Sequence, residues 1–97
     1  MKTKVLIVDD YAENIKALSL LIESDVIEIH KASNGEDALN LLLEHEFGLA
    51  LLDVQMPNMS GFELAKLIRG VERGKKLPII FVTAANEDLS PSPLPLA

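Results

Sequence analysis

The stretch Leu49-Ala50-Leu51-Leu52-Asp53-Val54-Gln55-Met56-Pro57 decides how this chain is read. Four apolar residues run without interruption and stop at a carboxylate, after which a Met-Pro and a polar turn follow. A short apolar run closed by turn residues is the pattern of a strand buried on both faces. In an open α/β sheet the carboxyl ends of the strands hold ligands and chemistry, so an aspartate there is a candidate functional group. Two other runs end in the same way. Lys4-Val5-Leu6-Ile7-Val8 leads into Asp9-Asp10, and Pro78-Ile79-Ile80-Phe81-Val82 leads into Thr83. Three strand ends thus offer three carboxylates and one hydroxyl.

Helical patterns separate these runs. Ile15, Leu18, Leu21 and Ile22 share one face of a first helix, with Glu13, Lys16 and Ser19 largely off it. Asp10 stands three residues before Glu13, an approximate capping box, so helix capping competes with any chemical role for Asp10. Ile27-Glu28-Ile29-His30-Lys31-Ala32 alternates, as a half-buried edge strand does, and His30 is expected to face solvent. Asn34 is placed to cap a second helix with Ala38, Leu41 and Leu42 on its apolar stripe. His45 complements the dipole at its end. Ser60-Gly61-Phe62-Glu63 is a cleaner capping box, followed by Leu64, Ala65, Ile68 and Val71 at helical spacing. Arg69, Arg73, Lys75 and Lys76 read as dipole complement and solvated surface. Alternation of strand and helix with short connections implies right-handed crossovers and a mostly parallel, doubly wound sheet.

Composition narrows the function. The 97 residues suffice for one small domain, and 48% of them are hydrophobic, enough for a packed core. A formal net charge of −6 argues against nucleic acid as a direct partner. With no cysteine there is neither a disulfide nor a thiolate metal site. No signal-peptide pattern and no apolar run near the ~20 residues of a bilayer span are found, so a cytoplasmic protein without membrane contact is expected. Should Asp9, Asp10 and Asp53 converge, their mutual repulsion calls for a hard divalent cation, for which Mg²⁺ with several retained waters fits best. Phosphoryl transfer to or from a carboxylate is the chemistry that such a site suits.

Val8-Asp9-Asp10, Leu52-Asp53-Val54-Gln55-Met56-Pro57, Gly61 and Val82-Thr83-Ala84 together closely resemble the receiver domain of two-component response regulators, over about residues 3–89. The resemblance implies a flavodoxin-like fold, here shortened to four parallel strands ordered 2-1-3-4, with Val5, Ile7, Leu51, Ile80 and Val82 buried. It implies that Asp53 accepts a phosphoryl group from the phosphohistidine of a sensor histidine kinase or phosphotransfer protein. Asp10 and Asp53 would ligate Mg²⁺ by side chain, Gln55 by its backbone carbonyl and Asp9 through water. Thr83 would be the hydroxyl that follows the phosphoryl group. Residues 1–89 are expected to form this shortened receiver, and residues 90–97, with three prolines, an extended tail.

The chain departs from the family in lacking the fifth strand and its lysine, since Lys75 and Lys76 precede the fourth strand. With Asp9 and Asp10 at −1 each, a phospho-aspartate near −2 and Mg²⁺ at +2, the site keeps about −2. The fourth strand becomes an open apolar edge, which predicts self-association. Two readings compete with a phosphorylatable receiver. One is a dimerising or protein-binding module without efficient phosphotransfer. The other is an enzyme proper, a Mg²⁺-dependent phosphohydrolase, which would need an aspartate where Gln55 stands. The reading adopted is a signalling domain and not an enzyme.

Overall fold

The computed structural model describes residues 2–83. Within them β1 (Thr3–Val8), α1 (Ala12–Ile22), β2 (Ile27–Ala32), α2 (Gly35–Glu44), β3 (Leu49–Asp53), α3 (Gly61–Arg69), a 3₁₀ turn (Glu72–Gly74) and β4 (Ile79–Val82) follow one another. The strands form one four-stranded sheet ordered β2-β1-β3-β4, parallel throughout. This is the expected order. The proline-rich tail assignment lies outside the described residues. Among the described residues no helix is long and apolar enough to cross a membrane.

Each crossover places a helix on one face, and the alternation of the strands sorts the core into two halves. Leu6, Val8, Ala50 and Leu52 point to the side of α2 and α3, where Ala38, Leu42, Leu64 and Ile68 complete a fully buried cluster. Val5, Ile7 and Leu51 point to the other side, where Ile15 of α1 covers them. The halves are unequal because α1 packs over β1 and β2, leaving the β4 end of its face without a described helix above it. This corrects two burial expectations: Ile80 is 52% exposed and Val82 only half-buried. Val5, Ile7 and Leu51 are buried as expected.

The helices begin where their caps dictate. Asn34 accepts the Asp37 N–H at 2.8 Å. Ser60 and Glu63 form the complete capping box of α3. The phase of α1 differs from the expected one. Ser19 turns inward, its hydroxyl donating to the Ile15 carbonyl at 2.7 Å, and Leu21 is 79% exposed. The face that meets the sheet is Ile15, Leu18, Ser19 and Ile22, the i, i+3, i+4, i+7 set. His30 is also corrected. Its ring lies 4.4 Å from that of His45 and edge-on to Phe47, and its Nε2 meets Glu28 at 2.6 Å. An edge strand is half-buried on its helix-covered face, and α2 ends directly over His30.

The basic cluster after α3 is partly structural. The Arg69 Nη1 donates to the carbonyls of Gly74 and Leu77 at 2.8 and 2.7 Å, tying the 3₁₀ turn to the entry of β4. Arg73 donates to the Leu43 carbonyl at 3.3 Å, complementing the last turn of a neighbouring helix.

Candidate functional site

β1 and β3 are the two central strands, and their carboxyl ends lie side by side, with Val8 paired to Leu52. Asp9 continues β1 by donating its N–H to the Ala32 carbonyl at 3.1 Å. The next residue of β3 after Leu52 is Asp53. Adjacent parallel strands in this register bring the aspartates together: Asp9, Asp10 and Asp53 each offer a carboxylate oxygen, all within 4.8 Å of one another. Asp9 and Asp53 are buried, whereas Asp10 is exposed.

Capping does not account for Asp10. The N-cap of α1 is Tyr11, with no side-chain cap hydrogen bond. Asp9 takes up the slack, its Oδ1 accepting the Tyr11 N–H at 2.9 Å. Its carboxylate also receives the Asn14 amide, 3.2 Å from Oδ2 and 3.4 Å from Oδ1. Asn14 carries no motif signal. It is found only once the first turn of α1 is known to fold back over the end of β1.

Burial pushes the Asp53 carboxyl up from 3.8 to about 6, opposed by the Gln55 N–H that donates to Oδ1 and reinforced by the negative charges of Asp9 and Asp10. Desolvation and like charge disfavour the ionised form together. Gln55 therefore reaches the site through its main chain, with its side chain exposed.

The loop after β3 is tightly specified. Asn58 has φ 71°, a left-handed conformation that asparagine tolerates better than most residues. Gly61 then starts α3 directly against the end of β3, its N–H donating to the Val54 carbonyl at 3.0 Å. Asp53 pairs with Val82 across β3 and β4, and Val54 donates to the Val82 carbonyl at 3.1 Å. Thr83, the next residue, thus stands at the same sheet edge and is exposed.

Comparison with known proteins agrees with this geometry. The family model of the response regulator receiver domain matches residues 5–91. The chain belongs to the response regulator receiver family. The transcriptional regulatory protein SrrA of Staphylococcus aureus is 38% identical over 88 residues, which are 91% of this receiver chain and 35% of SrrA. The chain thus spans about a third of that relative's length. Among solved structures, the chemotaxis protein CheY4 of Vibrio cholerae superposes with TM-score 0.81 at 32% identity, over 94% of this chain and 73% of that one. A response regulator receiver protein from Pseudomonas putida gives 0.73 at 36% identity, over 86% and 69%. Receiver domains are signalling modules of two-component systems, which leaves the phosphohydrolase reading without support. The comparisons also lend none to a module that has given up phosphotransfer.

Proposed function

We propose that Asp53 is the phosphoacceptor of this receiver, taking a phosphoryl group in the cytoplasm from the phosphohistidine of a sensor histidine kinase or a phosphotransfer protein. The observation that carries this reading is the convergence of the three aspartates at the ends of β1 and β3. A carboxylate oxygen of Asp53 attacks phosphorus, the phosphorus–nitrogen bond breaks, and the imidazole nitrogen keeps the electron pair and takes a proton. The product is an acyl phosphate. Thr83, at the neighbouring strand end, donates its hydroxyl to a phosphoryl oxygen.

The donor set fits Mg²⁺. Three carboxylates within 4.8 Å concentrate negative charge that a hard cation with oxygen ligands offsets; burial first, and that charge after it, push the Asp53 carboxyl up. Asp10 and Asp53 would hold the ion by side chain, Gln55 by its carbonyl oxygen and Asp9 through water. When bound, Mg²⁺ neutralises charge on the phosphoryl oxygens.

The test is incubation of the chain with a small acyl phosphate and Mg²⁺, followed by mass spectrometry. A gain of one phosphoryl group on the peptide containing Asp53, lost in Asp53→Asn, is expected. No labelling of the folded chain would sink the proposal.

Self-association through β4 is proposed alongside. Among the described residues β4 pairs with β3 alone, Ile80 and Phe81 are 52% and 40% exposed, and the rings of Phe81 and Phe62 lie 4.7 Å apart on the surface. An unpaired apolar edge invites a second copy. Sedimentation should show a dimer or higher oligomer that Ile80→Lys dissociates. A monodisperse monomer at high micromolar concentration would count decisively against it.

A further inference from the structure

We propose that Asn14 is a positioning residue: its amide fixes the Asp9 carboxylate so that Asp9 serves the cation through water rather than directly, and this sets the preference for Mg²⁺ over larger cations. The inference rests on the cation reading of the previous subsection and extends it to a residue outside the acidic set. Asn14 is the third residue of α1, and its own N–H is bonded to the Tyr11 carbonyl at 3.1 Å. Its amide is thereby held in the first turn, directly over the end of β1. The Nδ2 group spans both oxygens of Asp9, at 3.2 and 3.4 Å, and the Tyr11 N–H adds a third contact at 2.9 Å.

The three aspartates differ in what remains open. Both oxygens of Asp9 already have protein donors, and its side chain is buried with only 2% exposure. Asp53 has one oxygen engaged, by the Gln55 N–H at 3.2 Å. Asp10 is exposed, and among the described residues no N–H group is bonded to its carboxylate. A carboxylate held at both oxygens cannot swing toward a cation without giving up charge-assisted hydrogen bonds. It retains lone pairs enough to accept from a metal-bound water. Mg²⁺ dehydrates reluctantly and keeps such waters, whereas Ca²⁺ takes six to eight oxygens in a flexible shell and gains from one more direct carboxylate. Removing the Asn14 amide frees Oδ2 of Asp9 and admits that extra ligand.

The experiment is calorimetric titration of the 97-residue chain with MgCl₂ and with CaCl₂, for the parent, Asn14→Leu, Asp9→Asn and the double variant. Asn14→Ser stands in should the leucine variant not fold. Thermal midpoints without cation are measured for each. Asn14→Leu should lower the ratio of Ca²⁺ to Mg²⁺ dissociation constants by about ten- to a hundredfold, the worth of one hydrogen bond to a charged group. The same change made on the Asp9→Asn background should leave the ratio unmoved, since the carboxylate that it releases is gone. A fall in thermal midpoint with an unchanged ratio would make Asn14 a structural support only and overturn the proposal. So would the same shift in ratio with and without the Asp9 carboxylate. A parent that binds no Mg²⁺ overturns the cation reading and this inference together. Mg²⁺ binding and labelling intact in the parent, with an unmoved ratio, removes the Asn14 assignment alone.

Discussion

Replacing Asp53 with asparagine is expected to make the cation-free protein more stable at pH 7.5 by roughly 2 kcal/mol, a rise in melting midpoint of about 10 °C for a domain of this size. The cause is the environment of the carboxyl. Burial and the charges of Asp9 and Asp10 raise it from 3.8 to about 6, so at neutral pH the folded state carries an ionised group that it disfavours by roughly 3 kcal/mol. An amide of the same shape still accepts the Gln55 N–H and carries no charge. The pH dependence follows from the sign of the shift. A folded-state value above the unfolded one means that the folded protein binds the proton more tightly. The stabilisation is fully present below about pH 3.8 and is lost as pH rises through about 6. The parent in chelator should therefore lose stability across that window, while Asp53→Asn lacks this component. Mg²⁺ should reverse the ranking in part, raising the parent's midpoint by mass action and the variant's by less. Equal midpoints for parent and variant in chelator at pH 7.5, measured by calorimetry, would mean that the buried charge is already balanced within the fold.

Gly61→Ala should cost about 3 kcal/mol or more and weaken Mg²⁺ binding as well. A Cβ at this position would lie 2.3 Å from the Asp53 carbonyl oxygen, 3.0 Å from its carbonyl carbon and 3.2 Å from the Val54 Cα. All three are main-chain atoms of Asp53 and Val54, at the end of β3, so nothing flexible can yield. Either α3 retreats from β3, breaking the Gly61 to Val54 hydrogen bond, or the end of β3 moves and takes Asp53 with it. Overpacking of rigid neighbours is at the upper end of what an added methyl does. Gly35 supplies the control. A Cβ there meets the Met59 Sδ at 2.5 Å, but methionine is a flexible side chain that can turn away, and alanine favours the first turn of α2. Gly35→Ala should change stability by less than about 1 kcal/mol. Denaturant unfolding of the two variants gives the comparison, and similar losses in both would refute the close-approach argument for Gly61.

The parallel sheet was legible because its strands announce themselves. Val5 to Val8 and Leu49 to Leu52 are apolar at every position, which only a strand covered on both faces requires. The carboxylates directly after them mark the functional edge for the same reason. Burial in β4 was not legible, because Ile79-Ile80-Phe81-Val82 is just as apolar while α1 covers β1 and β2 instead. Composition reports what a strand can bury and not what lies over it. The phase of α1 is not legible at Ser19, whose hydroxyl satisfies itself on the Ile15 carbonyl and so behaves inside a core as a small apolar residue would. Asn14 escaped because one asparagine in a helix has no pattern. Only the first turn, wrapped over the end of β1, gives it a partner.

Sheet order also divides the site by how firmly its parts are held. Asp9 and Asp53 hang from β1 and β3, each hydrogen-bonded to a neighbour on both sides, while Thr83 follows β4, which among the described residues is bonded on one side only. Amide hydrogens in strands bonded on both sides exchange with solvent through near-global opening, and those at an edge through local fraying. In the monomer, with no second copy on that edge, deuterium should therefore enter β4 orders of magnitude sooner than β1. The Asp53 carboxyl then rests on slowly exchanging central strands and the Thr83 hydroxyl on a faster-exchanging edge. A phosphoryl group bridging the two would convert the fraying of that edge into a readable signal, protection gained at Phe81 and Val82 with β1 unchanged.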